Sequence, residues 1–202
     1  MTRSATVVLA SGNAGKLAEM RTLLEPLAME LVPQSDYGVG GVAESGLTFI
    51  ENALIKARYA ARLTGLPVLA DDSGIAVDAL GGRPGIYSAR YAGAGGDAAA
   101  NNAKLLQELA DITDPAARGA HFRCVVVYLR APDDPVPIVC EGVWSGRIAF
   151  APRGSGGFGY DPLFEDPELG CTGGELDPAE KNRISHRGKA LRALTERLNV
   201  ER

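Results

Sequence analysis

The stretch Leu69-Ala70-Asp71-Asp72-Ser73-Gly74 decides the fold prediction for this chain of 202 residues. The apolar residues 67–70 predict a short buried strand that ends at the two aspartates and is followed by a Ser-Gly turn. In α/β sheets, ligands bind in the crevice at the carboxyl ends of the strands. Two adjacent carboxylates there repel each other, and a divalent metal that holds a phosphate ester would relieve that repulsion. A plain polar turn is the alternative, because Asp, Ser and Gly are ordinary turn residues.

The composition limits the class of protein. A hydrophobic content of 46% is ample for a core, and the length fits one domain or a domain with a lobe. The formal net charge of −4 argues against a nucleic-acid-binding surface. No apolar run reaches the ~20 residues that span a bilayer, and residues 1–4 show no signal-peptide pattern. The three cysteines form no CxxC pair and do not resemble a zinc site, so we expect a reduced, cytoplasmic setting.

A phosphate-binding turn is predicted after the first strand, residues 6–10. The turn is Ser11-Gly12-Asn13-Ala14-Gly15-Lys16, and apolar residues at helical spacing then predict a helix that ends near Pro26. Backbone N–H groups at the start of a helix attract an anion, and Lys16 adds a positive charge. The turn is not a Walker A loop, because Ala10 stands at the position of its first glycine and the hydroxyl after the lysine is missing. A purely structural turn is the alternative.

A glycine-rich loop and a long helix come next. Residues 38–46 predict the loop, which contains Glu44, and Thr48 begins a capping box that opens the helix. Lys56 lies one turn after Asn52, so the two residues share a face of the helix. Taken alone, Glu44 is a loop carboxylate and Lys56 is a solvated helical lysine.

The chain after the acidic pair predicts a change to a β-rich lobe. Arg90, between two tyrosines, could clamp a phosphate or stack on a tyrosine at the surface. Valine-rich runs at residues 122–129 and 136–144 predict a hairpin of long strands. We predict one domain over residues 1–202, with one lobe of roughly residues 1–115 plus the C-terminal helix and a β-rich lobe of roughly residues 116–165.

Two further segments predict contacts with a base. Residues 154–162 combine four glycines with Phe158 and Tyr160, either of which offers a flat face. In the last motif, Ser185 is predicted to cap a helix whose first turn holds His186 and Arg187. Cations at the N-terminal end of a helix oppose its dipole, and sequence rules fail most often at functional sites. His186, Arg187 and Lys181 are therefore predicted to bind an anion or a base.

Together these motifs resemble the Ham1/RdgB family of inosine/xanthosine triphosphate pyrophosphatases. The resemblance runs from residue 6 to residue 198 with all motifs in order. The segments that carry it are Ser11–Lys16, Gly46–Ala53, Ala70–Gly74, Gly81–Tyr91, Gly157–Pro162 and Ile184–Gly188.

The resemblance implies an α/β fold, elongated and two-lobed, with a central mixed β-sheet flanked by helices and the active cleft between the lobes. It implies Mg²⁺-dependent hydrolysis of free non-standard purine nucleoside triphosphates, ITP, dITP and XTP, to the monophosphate and pyrophosphate. This activity would remove deaminated purines from the nucleotide pool. A homodimer is expected, without a nucleic acid polymer or a membrane as partner.

Residue roles are also implied by the resemblance. Asp72 would accept a proton from the attacking water and bind the metal, Glu44 would be the other metal carboxylate, and Asp71 would support them. The expected phosphate contacts are Ser11, Gly12, Asn13, Ala14, Gly15, Lys16, Lys56 and Arg90. The expected nucleoside contacts are Ser73, Phe158, Gly159, Tyr160, Asp161, Lys181, His186 and Arg187. Ser11 departs mildly from the family, where many relatives carry Thr.

Selectivity is expected from hydrogen bonding to the purine. Hypoxanthine and xanthine present an oxygen at position 6, so donors such as Arg187 or His186 would be left unpaired by the amino group of adenine. Two other classes of function stay open: another Mg²⁺-dependent phosphohydrolase or kinase, and a non-catalytic nucleotide sensor, which would not need the acidic pair.

Overall fold

The computed structural model describes residues 5–27, 29–93 and 96–200, with only the backbone of Ala5 and Pro26. Its strands are β1 Ala5–Leu9, β2 Met29–Pro33, β3 Val68–Val77, β4 Gly119–Leu129, β5 Ile138–Ile148, β6 Phe164–Asp166 and β7 Cys171–Thr172. Its α-helices are α1 Ala14–Leu24, α2 Phe49–Thr64, α3 Ala98–Glu108, α4 Pro178–Ile184 and α5 His186–Val200. Short 3₁₀ segments include Gln34–Tyr37 and Gly85–Arg90.

One mixed sheet joins the seven strands of the described chain, in the order β2-β1-β3-β4-β5-β6-β7. β1 pairs in parallel with both β2 and β3, whereas β6 is antiparallel to both β5 and β7. The parallel pairs need crossover connections, and α1 and α2 lie in those connections. The predicted α/β fold with a mixed sheet and flanking helices is confirmed.

The contacts divide the described chain into two compact units. Unit 1 holds the residues up to Asp72, residues 124–142 and the chain from Arg187, and unit 2 holds residues 73–123 and 143–186. The changes of unit fall inside β3, β4 and β5 and at the start of α5, so they do not coincide with the boundary predicted near residue 115.

The prediction that a strand ends at Asp71 and Asp72 is wrong. The aspartates were expected to end a short strand, with a Ser-Gly turn after them. Instead β3 runs through Asp71, Asp72, Ser73 and Gly74 and continues to Val77. Gly74 is extended rather than turned, and a Cβ there would lie 2.4 Å from the Gly85 carbonyl oxygen and 2.5 Å from Ser88 Oγ. A glycine is needed at residue 74 because the strand packs closely against the 3₁₀ segment Gly85–Arg90, and not because the chain turns there.

Unit 1 has two apolar cores. The first joins β1 and β3 to α1 and α5 through residues such as Leu9, Met20, Leu69 and Leu191. In the second, the alanines of α2 pack onto the sheet. The sheet residues are Val8 of β1, Val68 and Ala70 of β3, and Val125, Val127 and Leu129 of β4. The small alanines let the helix backbone lie close to the sheet, and Ala53, Ala57 and Ala60 are each 0% exposed.

Unit 2 has an aromatic core. Trp144, the single tryptophan of the chain, is buried against Phe164 in an edge-to-face contact with ring centroids 4.7 Å apart. Its Nε1 donates a hydrogen bond of 2.8 Å to Asp166 Oδ2. Phe122 lies between this pair and His186. Among the described residues, no helix is both long and apolar enough to cross a membrane.

Candidate active site

The predicted phosphate turn joins β1 to α1. Asn13 is the N-cap of α1, and its Oδ1 accepts a hydrogen bond of 3.1 Å from the Lys16 backbone N–H. The Asn13 backbone N–H donates to Ser11 Oγ at 3.2 Å, which tightens the turn. The Lys16 ammonium points to β3, where it lies 2.8 Å from Asp71 Oδ2. The start of α1 therefore carries positive charge, as the sequence predicts.

The two aspartates point to different partners, because successive side chains of a strand face opposite sides of the sheet. Asp71 is buried and contacts Lys16 and Arg187, whose Nη2 lies 3.8 Å away. Arg187 in turn donates from Nη1 to Glu19. Burial raises the pKa of Asp71, but the attraction of these cations outweighs burial and holds the pKa well below its usual value. Asp71 is therefore a charged residue that balances two cations.

Asp72 faces Lys56 and Glu44. The Lys56 Nζ lies 2.8 Å from Asp72 Oδ1 and 3.1 Å from Glu44 Oε1, so one ammonium bridges two carboxylates. Burial raises the pKa of Asp72, and Lys56 opposes that shift only in part. Burial lowers the pKa of Lys56, but Asp71, Asp72 and Glu44 together outweigh it and raise the pKa, so Lys56 is charged.

The carboxylates of Glu44 and Asp72 fit a hard divalent cation. Asp72 Oδ2 is buried and accepts no hydrogen bond from the described residues, whereas Oδ1 is held by Lys56. Groups of three or more possible ligands from His, Cys, Asp and Glu are absent from the described part of the chain. Mg²⁺ does not need such a group, because it is usually bound through one or two carboxylates plus water and substrate phosphates.

Unit 2 contains the residues predicted near the nucleoside, apart from Arg187. Lys181 is buried, donates to Asp161 Oδ2 at 2.7 Å and lies 4.9 Å from the ring centroid of Phe158. Asp161 also accepts the Phe158 backbone N–H at 2.6 Å. A Cβ on Gly157 would come within 2.2 Å of the same carboxylate. The glycine-rich loop is thus folded around Asp161.

His186 and Tyr160 have defined surroundings in unit 2. The His186 ring stacks on Phe122 with centroids 4.6 Å apart and an angle of 8° between the planes. Tyr160 is a core residue whose hydroxyl donates to the Ser88 carbonyl oxygen at 2.8 Å, so Phe158 is the better candidate for a flat face toward a base. Gly159 accepts a hydrogen bond of 3.0 Å from Asn102, and Ser73 is a partly buried residue of β3.

Arg90 and Arg187 both contact other residues of the protein. Arg90 is exposed, and its guanidinium lies 5.3 Å from the ring centroid of Tyr87, which matches the alternative of an arginine stacked at the surface. Arg187 belongs to unit 1 and contacts Glu19 and Asp71 there. Burial lowers the pKa of Arg187, but Asp71 and Glu19 raise it overall. These are the contacts of a charge-balancing residue, and the base-reading role of Arg187 stays a prediction.

Sequence reasoning missed two residues of this arrangement. Glu19 lies one turn after Lys16 on α1, a spacing that could have indicated a carboxylate on the same face. Asn52 is 0% exposed, and its Oδ1 accepts the Gly46 backbone N–H at 2.8 Å. The sequence indicated only that Asn52 shares a helix face with Lys56.

Comparison with known proteins identifies the family. The model of the Ham1 family matches residues 7–197. The chain belongs to the Ham1 family. Solved Ham1 structures are similar over almost the whole chain. The HAM1 protein from Coxiella burnetii is 49% identical with a TM-score of 0.89, and covers 96% of this chain and 98% of its own. The Ham1 protein from Staphylococcus aureus is 40% identical with a TM-score of 0.85, and covers 98% of this chain and 100% of its own.

Other relatives are more similar in sequence. A protein from Thioalkalivibrio sulfidiphilus named dITP/XTP pyrophosphatase is 62% identical over 192 residues, which are 95% of this chain and 97% of that protein. A protein of the same name from Xanthomonas campestris is 59% identical over 195 residues, or 96% of this chain and 97% of that protein.

Proposed function

We propose that this Ham1 protein is a hydrolase that cleaves non-standard purine nucleoside triphosphates, dITP, XTP and ITP, to the monophosphate and pyrophosphate. One observation carries the proposal: Lys56 joins Glu44 and Asp72 into a charged cluster in which one buried oxygen of Asp72 accepts no hydrogen bond from the residues that the structure describes. Relatives up to 62% identical, named dITP/XTP pyrophosphatase, support the choice of substrates.

The chemistry follows from positions and charges in unit 1. Water attacks the α-phosphorus, the bond from that phosphorus to the bridging oxygen breaks, and pyrophosphate leaves. Asp72 Oδ2 would accept the proton of the water, and the raised pKa that burial gives this carboxyl makes it a stronger base. Lys16 and Lys56 would neutralise charge on the phosphates, because such reactions depend mainly on positioning and charge.

Mg²⁺ is the proposed cofactor, held by Glu44 and Asp72. When bound, it would polarise phosphate oxygens and lower the pKa of the attacking water. Lys56 would then turn from the carboxylates to the phosphates, since its long side chain can reach more than one acceptor. The homodimer implied by the family resemblance and the cytoplasmic setting stay predictions.

Selectivity for the base is proposed to depend on His186 and Lys181. His186 is held flat against Phe122, and Lys181 is fixed by Asp161 above Phe158. Donors fixed in this way would pair with the oxygen at position 6 of hypoxanthine or xanthine. Adenine would leave them unpaired, and a site built on hydrogen bonds can reject such an analogue by about 10⁴-fold.

A hydrolysis panel tests the proposed function. The purified protein is given dITP, XTP, ITP, ATP or GTP with water and Mg²⁺ alone, and pyrophosphate, orthophosphate and monophosphate are measured. We expect pyrophosphate and monophosphate from the first three substrates. Orthophosphate with a diphosphate would indicate a simple phosphatase, a need for a second substrate would indicate a kinase, and metal-independent binding without turnover would indicate a sensor.

A further inference from the structure

Glu44 is carried by a segment with no regular structure of its own. Residues 39–46, all described, belong to no helix or strand, and Gly38 before them has φ +69°. A carboxylate that must meet a metal within tenths of an ångström needs its backbone held in place. The contacts that fix this segment therefore matter to the site.

Helix α2 holds the segment at its last residues. Asn52 Oδ1 accepts the Gly46 N–H at 2.8 Å, two residues after Glu44, and Glu51 Oε2 accepts the Leu47 N–H at 2.8 Å. Asn52 is 0% exposed, whereas Glu51 is exposed. A hydrogen bond removed from water is stronger, and the donor left behind by its loss is costly. Asn52 is therefore the firmer of the two attachments.

The same face of α2 also holds the Glu44 side chain. Lys56 follows Asn52 by one turn, and its Nζ lies 3.1 Å from Glu44 Oε1 and 2.8 Å from Asp72 Oδ1. Asn52 fixes the main chain near Glu44, and Lys56 forms a salt bridge with the Glu44 carboxylate. When Lys56 moves to a phosphate, the attachment through Asn52 is unaffected.

Gly46 shows how closely the segment lies on the helix. A Cβ at this position would come within 2.6 Å of Glu51 Cβ, 2.8 Å of Asn52 Oδ1 and 3.0 Å of the Asn52 backbone nitrogen. Two of these atoms are a backbone nitrogen and a Cβ next to it, which cannot move without the helix. A side chain at residue 46 must therefore push the segment away.

We propose that Asn52 is a positioning residue for Glu44: by accepting the Gly46 N–H, it fixes the Glu44 carboxylate beside Asp72 and so sets the affinity of the pair for a divalent cation. The inference rests on the proposed function, because that function assigns a cation to Glu44 and Asp72. It goes further in assigning the geometry of the cation site to a residue that binds neither metal nor nucleotide.

The first test compares Asn52→Leu with Asn101→Leu. Asn101 makes an equivalent contact on α3, where it is buried and its Oδ1 accepts a hydrogen bond of 2.7 Å from the Ala92 backbone N–H. Binding of Mn²⁺ alone is measured by electron paramagnetic resonance, and hydrogen exchange is measured over residues 40–50. We expect Asn52→Leu to raise the Mn²⁺ dissociation constant about 10-fold or more, in the range seen when groups that orient metal ligands are removed, and to speed exchange in that peptide. Asn101→Leu should leave both unchanged.

The second test uses two glycines of the same segment and does not depend on the folding of the asparagine variants. Gly46→Ala should weaken Mn²⁺ binding as Asn52→Leu does. Gly41→Ala should not, because a Cβ at Gly41 meets nothing within 4 Å. Neither glycine has a positive φ, so the pair differs in space and not in backbone strain.

The outcomes separate this inference from the proposed function. Wild-type Mn²⁺ affinity in a folded Asn52→Leu or Gly46→Ala protein would overturn the positioning role while leaving the proposed hydrolysis intact. Equal weakening in Asn52→Leu and Asn101→Leu would overturn it as well, since the loss would then reflect general destabilisation. A wild-type protein that hydrolyses dITP without binding Mn²⁺ or Mg²⁺ would overturn this inference and the proposed cofactor, while leaving the proposed hydrolysis intact.

Discussion

Asp71 and Asp72 are neighbours in sequence, but their partners differ and their pKa values shift in opposite directions. Both lie in β3, and strand geometry sends one to Lys16 and Arg187 and the other to Lys56 and Glu44. The pKa of Asp71 is lowered, because cations outweigh its burial, and the pKa of Asp72 is raised, because burial outweighs Lys56. Asp71 therefore stabilises the fold in its charged form, whereas the surroundings of Asp72 make its carboxylate more ready to accept a proton.

Asp72→Asn should remove most of the turnover. The amide keeps the size of the side chain but cannot accept a proton, so we expect kcat to fall by about 10² to 10⁴-fold. Binding of the intact triphosphate, measured by calorimetry, should change much less. Asp133→Asn, an exposed aspartate elsewhere, is the control and should keep wild-type kinetics. Near wild-type kcat in Asp72→Asn would remove this residue from the chemistry.

Asp71→Asn should instead act on stability. Neutralising Asp71 takes a charge from two cations, one of which, Arg187, is only 2% exposed, and breaking a buried pair costs about 3–5 kcal/mol. Asp72→Asn should cost little or even stabilise, because the fold disfavours the charged form of Asp72. Urea unfolding of both variants at pH 7 measures the difference. Equal free energies of unfolding would contradict the separation of roles.

At the scale of elements, the helix caps were the most predictable features. Thr48 and Glu51 form the predicted start of α2, and Asp97 caps α3. Such caps are local, so the sequence contains all their partners. The course of β3 was not predictable in the same way, because Gly74 is extended for a contact with Gly85 and Ser88, which lie more than ten residues away.

The turn between β4 and β5 is built on one carboxylate. Asp134 is buried and accepts hydrogen bonds from the backbone N–H groups of Arg130 and Val136 and from the Arg130 guanidinium, all at 2.9 to 3.0 Å. These bonds, with that guanidinium first, hold the pKa of Asp134 well below its usual value of 3.8. This one side chain therefore holds the two ends of the turn together.

Asp134→Asn should lower the free energy of unfolding by about 1–2 kcal/mol at pH 7, a modest value because Arg130 is half exposed. A lowered pKa stabilises the fold above the unfolded value near 3.8, and this stabilisation is lost as pH falls toward the folded value. The gap in melting temperature between wild type and variant should thus be constant from pH 8 to about pH 5 and narrow below about pH 4. Asp133→Asn should show no gap, and a gap that widens in acid would contradict this assignment.

At the scale of the whole molecule, the sequence predicts local motifs better than it predicts how distant segments combine. The phosphate turn, Glu44, Lys56 and Asp72 lie together in unit 1 as expected. Arg187 belongs to the same unit, although its neighbour His186 belongs to unit 2. No local rule separates these adjacent residues, because each unit is assembled from segments far apart in the chain.

Metal removal should affect activity and hardly affect the fold. The Lys56 ammonium bridges Glu44 and Asp72 and offsets part of their charge, so the two carboxylates do not face each other without a cation between them. We expect EDTA to abolish hydrolysis and to lower the melting temperature by no more than about 4 °C, the effect of losing a weakly bound ligand. Scanning calorimetry with and without Mg²⁺ measures this, and unfolding on chelation would assign the metal a structural role.

The single tryptophan gives the molecule a built-in optical label. Trp144 is buried in the aromatic core of unit 2, where Phe122 contacts both its ring and the His186 ring. Light absorbed at the red edge of the ultraviolet band excites this indole alone, so its emission follows one half of the chain without any dye or engineered residue. Titration with nucleotides can therefore be watched in the unmodified protein, from the side where the purine is expected to be read.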